Sequence, residues 1–187
     1  PHDWSIEADF SLDNPATPGG GALPGGMGWY RKHFKLPESD KGKVIYIDFD
    51  GVYRNSRVWL NGHLLGFRPN GYVSFRYDLT PYLNYGKEEN VLVVQADNSD
   101  QPNSRWYSGS GIYRNVWLVK TGQVHVDNWG TNITTPVMNA DKSTVEIETP
   151  LKNEASDVIV EVSTRIQDRE GKVLYQISSP AEIAAGG

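Results

Sequence analysis

The 187-residue sequence contains no cysteine, which excludes disulfides and thiolate metal sites and leaves the compartment open. It has no apolar run near the ~18 residues that a membrane-spanning helix needs, so no membrane partner is expected. It also lacks a basic stretch. Its 18 Lys and Arg against 23 Asp and Glu leave a net charge of −5, which argues against nucleic acid as a partner. Helical periodicity is nearly missing as well. The four histidines (His2, His33, His63 and His125) are scattered without paired metal-ligand spacing, and no Gly-x-Ser-x-Gly accompanies them. No metal, cofactor or catalytic triad is expected.

What the sequence does have is strand patterning. The clearest runs are Lys43–Phe49, Arg57–Leu60, Leu64–Phe67, Asn90–Asp97, Ile112–Lys120, Thr144–Thr149 and Asp157–Ile166. In the last run Val158, Val160, Val162, Thr164 and Ile166 share one face, the mark of a half-buried antiparallel strand. Asn61-Gly62 supplies a tight hairpin turn, and Arg169-Glu170-Gly171-Lys172 supplies another before Val173-Leu174-Tyr175. Asp78–Leu83 suits one short helical turn. Many short strands with regular turns predict an all-β sandwich or jelly roll.

Composition changes near Thr121-Gly122. Residues 1–121 carry 13 acids and 13 bases, whereas 122–187 carry 10 and 5. Of the 21 aromatic residues, all but Trp129 and Tyr175 precede Gly122. Two differently built domains are therefore expected, 1–121 and 122–187.

Two long loops interrupt the strands. Residues 11–28 hold six glycines and three prolines, too many for a strand or helix. Residues 97–111 combine Arg105, Trp106 and Tyr107 with amides and hydroxyls, and a loop of that length in a small domain is usually functional. Aromatic faces stack on the C–H faces of sugars, while amides, carboxylates and guanidinium groups satisfy hydroxyls. Asp3, Trp4, Asn103, Arg105 and Trp106 are the candidate substrate-binding residues. Tyr107, Trp29, Trp59 and Trp117 are assigned to packing at the ends of the sandwich. Asp48-Phe49-Asp50-Gly51 looks like the start of a calcium loop but lacks the downstream acid, so a strand end is the expectation. Asn153-Glu154 resembles a glycosidase acid/base pair, yet it sits in a polar turn and is read as structural. Asn132-Ile133-Thr134 is a glycosylation sequon on a strand-like stretch and is set aside. No two acids can be placed opposite one another at the ~5 Å that a retaining glycosidase requires, so no catalytic residue is assigned.

Six blocks in order carry a resemblance. They are Pro1-His2-Asp3-Trp4-Ser5-Ile6, Pro24–Lys32, Phe49-Asp50-Gly51-Val52-Tyr53, Val58-Trp59-Leu60-Asn61-Gly62, Gly71–Thr80, and Ser104-Arg105-Trp106-Tyr107 through Gly111–Val116. Together they resemble glycoside hydrolase family 2, and within it the bacterial β-galactosidases. The resemblance implies a galactose-binding-like jelly roll for 1–121 and a partial immunoglobulin-like sandwich for 122–187. It implies strands ahead of the Pro-His-Asp-Trp block and a sandwich that continues past Gly187. It also implies a following TIM barrel that carries both catalytic glutamates of a retaining mechanism, so this chain alone would be non-catalytic. The loops of such a jelly roll reach the sugar subsite of the barrel, which makes Asp3 an expected hydroxyl contact with Trp4 beside it. Some members place an acid ahead of Trp106, where this chain has Asn103, Ser104 and Arg105. The implied partners are a β-galactoside or related oligosaccharide, the barrel domain, and a further copy in a homo-oligomer with 140–187 as the contact region. A stand-alone carbohydrate-binding module is the alternative.

Overall fold

The computed structural model describes residues 2–186, and the chain divides at Lys120/Thr121 into two units. Pro1 of the first resembling block and Gly187 lie outside the described residues. The chain is all-β, as expected, with helical structure limited to short 3-10 turns.

In the first unit the strands are β1 (His2–Asp3), β2 (Gly26–Phe34), β3 (Val44–Phe49), β4 (Ser56–Leu60), β5 (His63–Arg68), β6 (Phe75–Asp78), β7 (Asn90–Asn98), β8 (Gly111–Ile112) and β9 (Val116–Thr121). A four-stranded sheet of order β2-β7-β4-β5 faces a three-stranded sheet of order β6-β3-β9, and β1 pairs with β8. Alternation decides the faces: on β4, Ser56, Val58 and Leu60 turn inward, while Arg57 and Trp59 turn outward. The core between the sheets gathers Ile45, Ile47 and Phe49 of β3 with Val58, Leu60, Leu92, Val94 and Ala96. The Asn61-Gly62 hairpin forms as expected, with φ of 50° and 88° at its two central residues. Thr80–Tyr82 makes the short helical turn foreseen after Asp78.

Three expectations need correction. The glycine-rich stretch 11–28 does not remain loop to its end, because Gly26, Met27 and Gly28 begin β2. Gly28 is tolerated there because the Trp4 ring lies against it, in the space where a Cβ would stand. The run Ile112–Lys120 is not one strand. It breaks at Tyr113–Asn115, where Asn115 accepts from Asp50 N–H at 3.0 Å and the Tyr113 hydroxyl donates to Gly71 O at 2.8 Å. Trp29 and Trp117 do not plug the ends of the sandwich. Both sit at outward strand positions and are more than half exposed. Trp29 stacks on Trp59 with ring centroids 5.6 Å apart, and Trp117 Nε1–H donates to Asp50.

The second unit contains β10 (Val124–Val126), β11 (Asn132–Met138), β12 (Ser143–Glu148), β13 (Leu151–Asn153), β14 (Val158–Gln167) and β15 (Val173–Ile183). They form three antiparallel ladders, β10-β13, β11-β12 and β14-β15. A register shift interrupts β11 between Thr134 and Val137, around Pro136, which has no N–H for the ladder. The sequon Asn132-Ile133-Thr134 lies on exposed β11.

Candidate functional site

The end of the first sandwich where β1, β8 and the 99–110 loop converge holds most of the sequence-derived candidates. Asp3 has an extended backbone and caps the 3-10 turn Trp4–Glu7, its Oδ1 accepting from Ser5 N–H at 3.1 Å. The same oxygen accepts from Ser110 N–H at 2.9 Å, and Oδ2 accepts from the Tyr107 hydroxyl. One carboxylate thus joins two segments more than a hundred residues apart. Tyr30 reinforces the joint. Its hydroxyl donates to His2 O at 2.9 Å and accepts from Ile112 N–H at 3.2 Å.

The loop behind Asp3 is built on the buried Asn98. Its Nδ2 donates to Gly109 O and to Ser110 Oγ, both at 2.9 Å. Its Oδ1 accepts from Asn103 Nδ2 at 2.7 Å, and Asn103 Oδ1 in turn accepts from Ser108 Oγ at 3.4 Å. Ser104 Oγ donates to Trp106 O at 2.6 Å, turning the chain so that Arg105 and Trp106 point outward. Trp106 is 63 % exposed.

Each candidate therefore has a definite place. Asp3 and Asn103 are knotted into one polar network. Trp4 is a wedge: its ring fills the space over Gly28 and Gly111, where added Cβ atoms would collide with it. Trp4 Nε1 is buried and has no acceptor among the described residues. Arg105 and Trp106 stand on the rim. Sequence reasoning missed Asn98 and Ser110, whose signal was only the amide- and hydroxyl-rich composition of the loop. It assigned Tyr107 to packing, yet that side chain joins the polar network through Asp3 and lies beside Gly21 of the other long loop.

Electrostatics follow from this geometry. Burial first, and then the hydrogen bond and negative charge of Asp3, push the Tyr107 phenol far above its ordinary value, so it acts as a neutral donor. Burial likewise raises Tyr30. The other acids at this end are engaged elsewhere. Asp97 accepts from Ser99 Oγ and N–H, which lower its pKa, and Asp100 meets Arg54 at 2.9 Å. This end offers hydrogen bonds and aromatic surface, with Asp3 as its one carboxylate in the network.

The acids of the two motif-like segments are engaged by neighbouring side chains. Asp48 is held bidentately by Arg76 at 2.6 Å for both bonds, and Asp50 receives Trp117 Nε1–H. Asn153 is fully buried and its Nδ2 donates to Ser156 O, while Glu154 pairs with Lys152 at 2.6 Å.

A two-sheet β-sandwich with a polar network and exposed aromatics at one loop end has the build of a recognition module. The family model described as "Glycosyl hydrolases family 2, sugar binding domain" matches residues 10–122. Over all 187 residues the chain is 54 % identical to the Beta-galactosidase BoGH2A of Bacteroides ovatus, and it spans 22 % of that protein. Over 152 residues, 81 % of the chain, it is 44 % identical to a Putative beta-glucuronidase of Formosa agariphila, covering 14 % of it. A crystal structure of a glycosyl hydrolase family 2 member from Bacteroides cellulosilyticus superposes with a TM-score of 0.92 at 39 % identity, covering 97 % of this chain and 24 % of that one. The chain belongs to glycosyl hydrolase family 2 and contains its sugar binding domain. It spans about a fifth of the length of the relatives it matches.

Proposed function

We propose that residues 2–120 are the sugar-facing accessory domain of a retaining family 2 glycoside hydrolase with β-galactosidase-like activity. In this reading the catalytic carboxylates lie in the remainder of the parent polypeptide. The chain's own contribution is to complete the sugar subsite with its loop end. The observation that carries the reading is the Asp3 knot, which fixes a rim of Arg105, Trp106 and Tyr107 on a rigid base. Such a rim orients a sugar by stacking and hydrogen bonding, and it limits water around the bond being cleaved.

The test uses the whole parent enzyme on an aryl β-galactoside. Asp3→Asn preserves the shape of the side chain and its acceptors for Ser5 and Ser110 N–H, but removes the charge. A fall in kcat/KM of about tenfold with an unchanged melting temperature supports the reading. Unchanged kinetics in both Asp3→Asn and Trp106→Ala would overturn it. The exposed Arg105 guanidinium favours a second substrate, an aryl β-glucuronide, whose carboxylate it could pair. Loss of glucuronide turnover alone in Arg105→Gln would select that substrate. Sub-millimolar galactoside binding by residues 1–187, read by calorimetry, would instead support a stand-alone carbohydrate-binding module.

A further inference from the structure

The loop end carries more exposed aromatic surface than the Asp3 knot uses. Strand register brings three connections together there, 50–55, 69–74 and 99–110, since Ser56 pairs with Arg68, Phe49 with Phe75, and Gly26 with Asn98. The middle one joins β5 to β6 and is tied down along its length. Asn55 N–H donates to Pro69 O at 3.3 Å, Tyr72 N–H to Asn70 Oδ1 at 2.8 Å, and Ser74 Oγ to Asp50 O at 3.1 Å. Gly71 O accepts from the Tyr113 hydroxyl at 2.8 Å, and any Cβ at Gly71 would collide with the Tyr53 ring. This anchored turn presents Tyr72 and Val73 to solvent, 58 % and 57 % exposed. An aromatic ring held in one place meets little further ordering cost when a ligand covers it.

Tyr53 links this surface to the Asp3 side. It is buried, and its backbone exchanges hydrogen bonds with Gly111 at 2.8 Å and 2.7 Å. Its ring meets that of Tyr72 edge-on, with centroids 5.3 Å apart. Its phenol also meets the hydroxyl of Ser108, the neighbour of Tyr107 in the chain, and Ser108 bonds Asn103. Tyr107, Tyr53 and Tyr72 therefore form a continuous row from Asp3 to the 69–74 turn. The same turn walls a recess of about 320 Å3, lined by Arg68, Pro69, Asn70, Val73, Ser74 and Phe75. Two groups in it have donors to spare. Asn70 spends its side-chain oxygen within the turn and leaves Nδ2 without an acceptor among the described residues, and Arg68 forms no ion pair among them. An aromatic face edged by amide and guanidinium donors matches a sugar ring, whose C–H face stacks and whose hydroxyls accept. An apolar protein surface over the same place would bury those donors without acceptors, at a cost.

We propose that the 69–74 turn is a second sugar-binding place, which holds a further residue of an oligosaccharide whose terminal sugar lies at the Asp3 end. Tyr72 supplies the stacking face, while Asn70 Nδ2 and Arg68 donate to hydroxyls. The proposal rests on the sugar-facing reading of the loop end and extends it, since it makes the substrate an oligosaccharide rather than a glycoside of a small alcohol. Tyr72 sets specificity by adding contact with a sugar beyond the terminal one, so it favours longer chains.

Kinetics of the intact parent enzyme on two kinds of substrate test it. β-Galactosyl fluoride fills only the terminal-sugar place, whereas β-1,3-, β-1,4- and β-1,6-linked galactotrioses reach further. Tyr72→Ala should lower kcat/KM about tenfold on the triose that the wild type cleaves best and leave the fluoride within about twofold. Tyr72→Phe should restore the triose value, because the ring face is kept. Tyr72→Leu, which packs on Tyr53 without a ring face, takes the place of alanine if that variant does not fold. Equal losses on both substrates, no loss on either, or a wild type that cleaves the fluoride but none of the trioses would overturn the proposal. The underlying reading fails differently, for Asp3→Asn would then leave fluoride and triose alike unchanged.

Discussion

The two units use the same strand patterning and reach different degrees of burial. In the first, twelve residues from Leu36 to Ala96 form a buried apolar cluster between facing sheets. In the second, Asn153 is the one buried residue among those described, although β14 alternates as regularly as any strand in the chain. The difference shows that alternation is enough to specify a strand, while a core requires a second sheet to face it. It also assigns different stabilising groups: apolar volume in the first unit, and a buried amide that ties strand ends together in the second. Asn153 Nδ2 donates to Ser156 O at 2.8 Å and lies within 3.2 Å and 3.3 Å of the Ile183 and Ala184 carbonyls, and Oδ1 accepts from Ala155 N–H.

The sharpest break of this comparison is a core truncation. Phe49→Ala removes a ring that is 1 % exposed and stacked on Phe75, and should cost about 3–5 kcal/mol in the first unit. Tryptophan fluorescence reports that unit, because five of the six tryptophans precede Lys120 and Trp129 is 86 % exposed. A loss under about 1 kcal/mol in urea unfolding would mean that the cluster is loosely packed. Asn153→Ala should come next, at about 1–2 kcal/mol, by removing a buried amide that bonds the Ser156, Ile183 and Ala184 carbonyls and the Ala155 N–H. Circular dichroism should register that loss while the fluorescence midpoint stays fixed.

Acid sharpens the contrast further. Asp40, nearly buried in the first unit, is held below the usual carboxylate range by hydrogen bonds from Lys120 and Lys43. A depressed folded pKa stabilises fully above the unfolded value and is lost as pH falls through the folded one. The first unit should therefore lose stability from about pH 5 downward. Asp40→Asn should weaken the protein at neutral pH and flatten that acid limb, and a limb of unchanged steepness would remove Asp40 as its source. Tyr107→Phe deletes a part-exposed bond to Asp3 and should cost about 1 kcal/mol or less, with faster exchange at Ser110 N–H as its readout. The smallest effect belongs to Ile159→Ala on β14, 68 % exposed, which should stay within about 0.5 kcal/mol in the isolated chain. A larger cost, together with concentration-dependent sedimentation, would place a second copy against 140–187.

Much of the fold was legible before any coordinates. The Asn61-Gly62 turn, the alternating β12 and β14 and the change of composition near residue 121 are local, and each is written in a few neighbouring residues. β2 was missed because its glycines and its Arg31-Lys32-His33 run blur the period of two, and β6 because Phe75-Arg76-Tyr77-Asp78, though it alternates, is only four residues long. At the site, Asp3, Asn103 and Trp106 stood out by residue type. The knot could not be foreseen, because Ser110 and Tyr107 meet Asp3 across more than a hundred residues of chain.

The sequence by itself determined strands, turns and family, since backbone preference and side-chain alternation act over a few residues. Only the tertiary structure decided that Asp3 is a clamp, that Trp4 is a wedge over two glycines, and that one sheet has a strand fewer than the other. Those facts depend on which distant segments share a neighbourhood, and burial and hydrogen-bond geometry are set there.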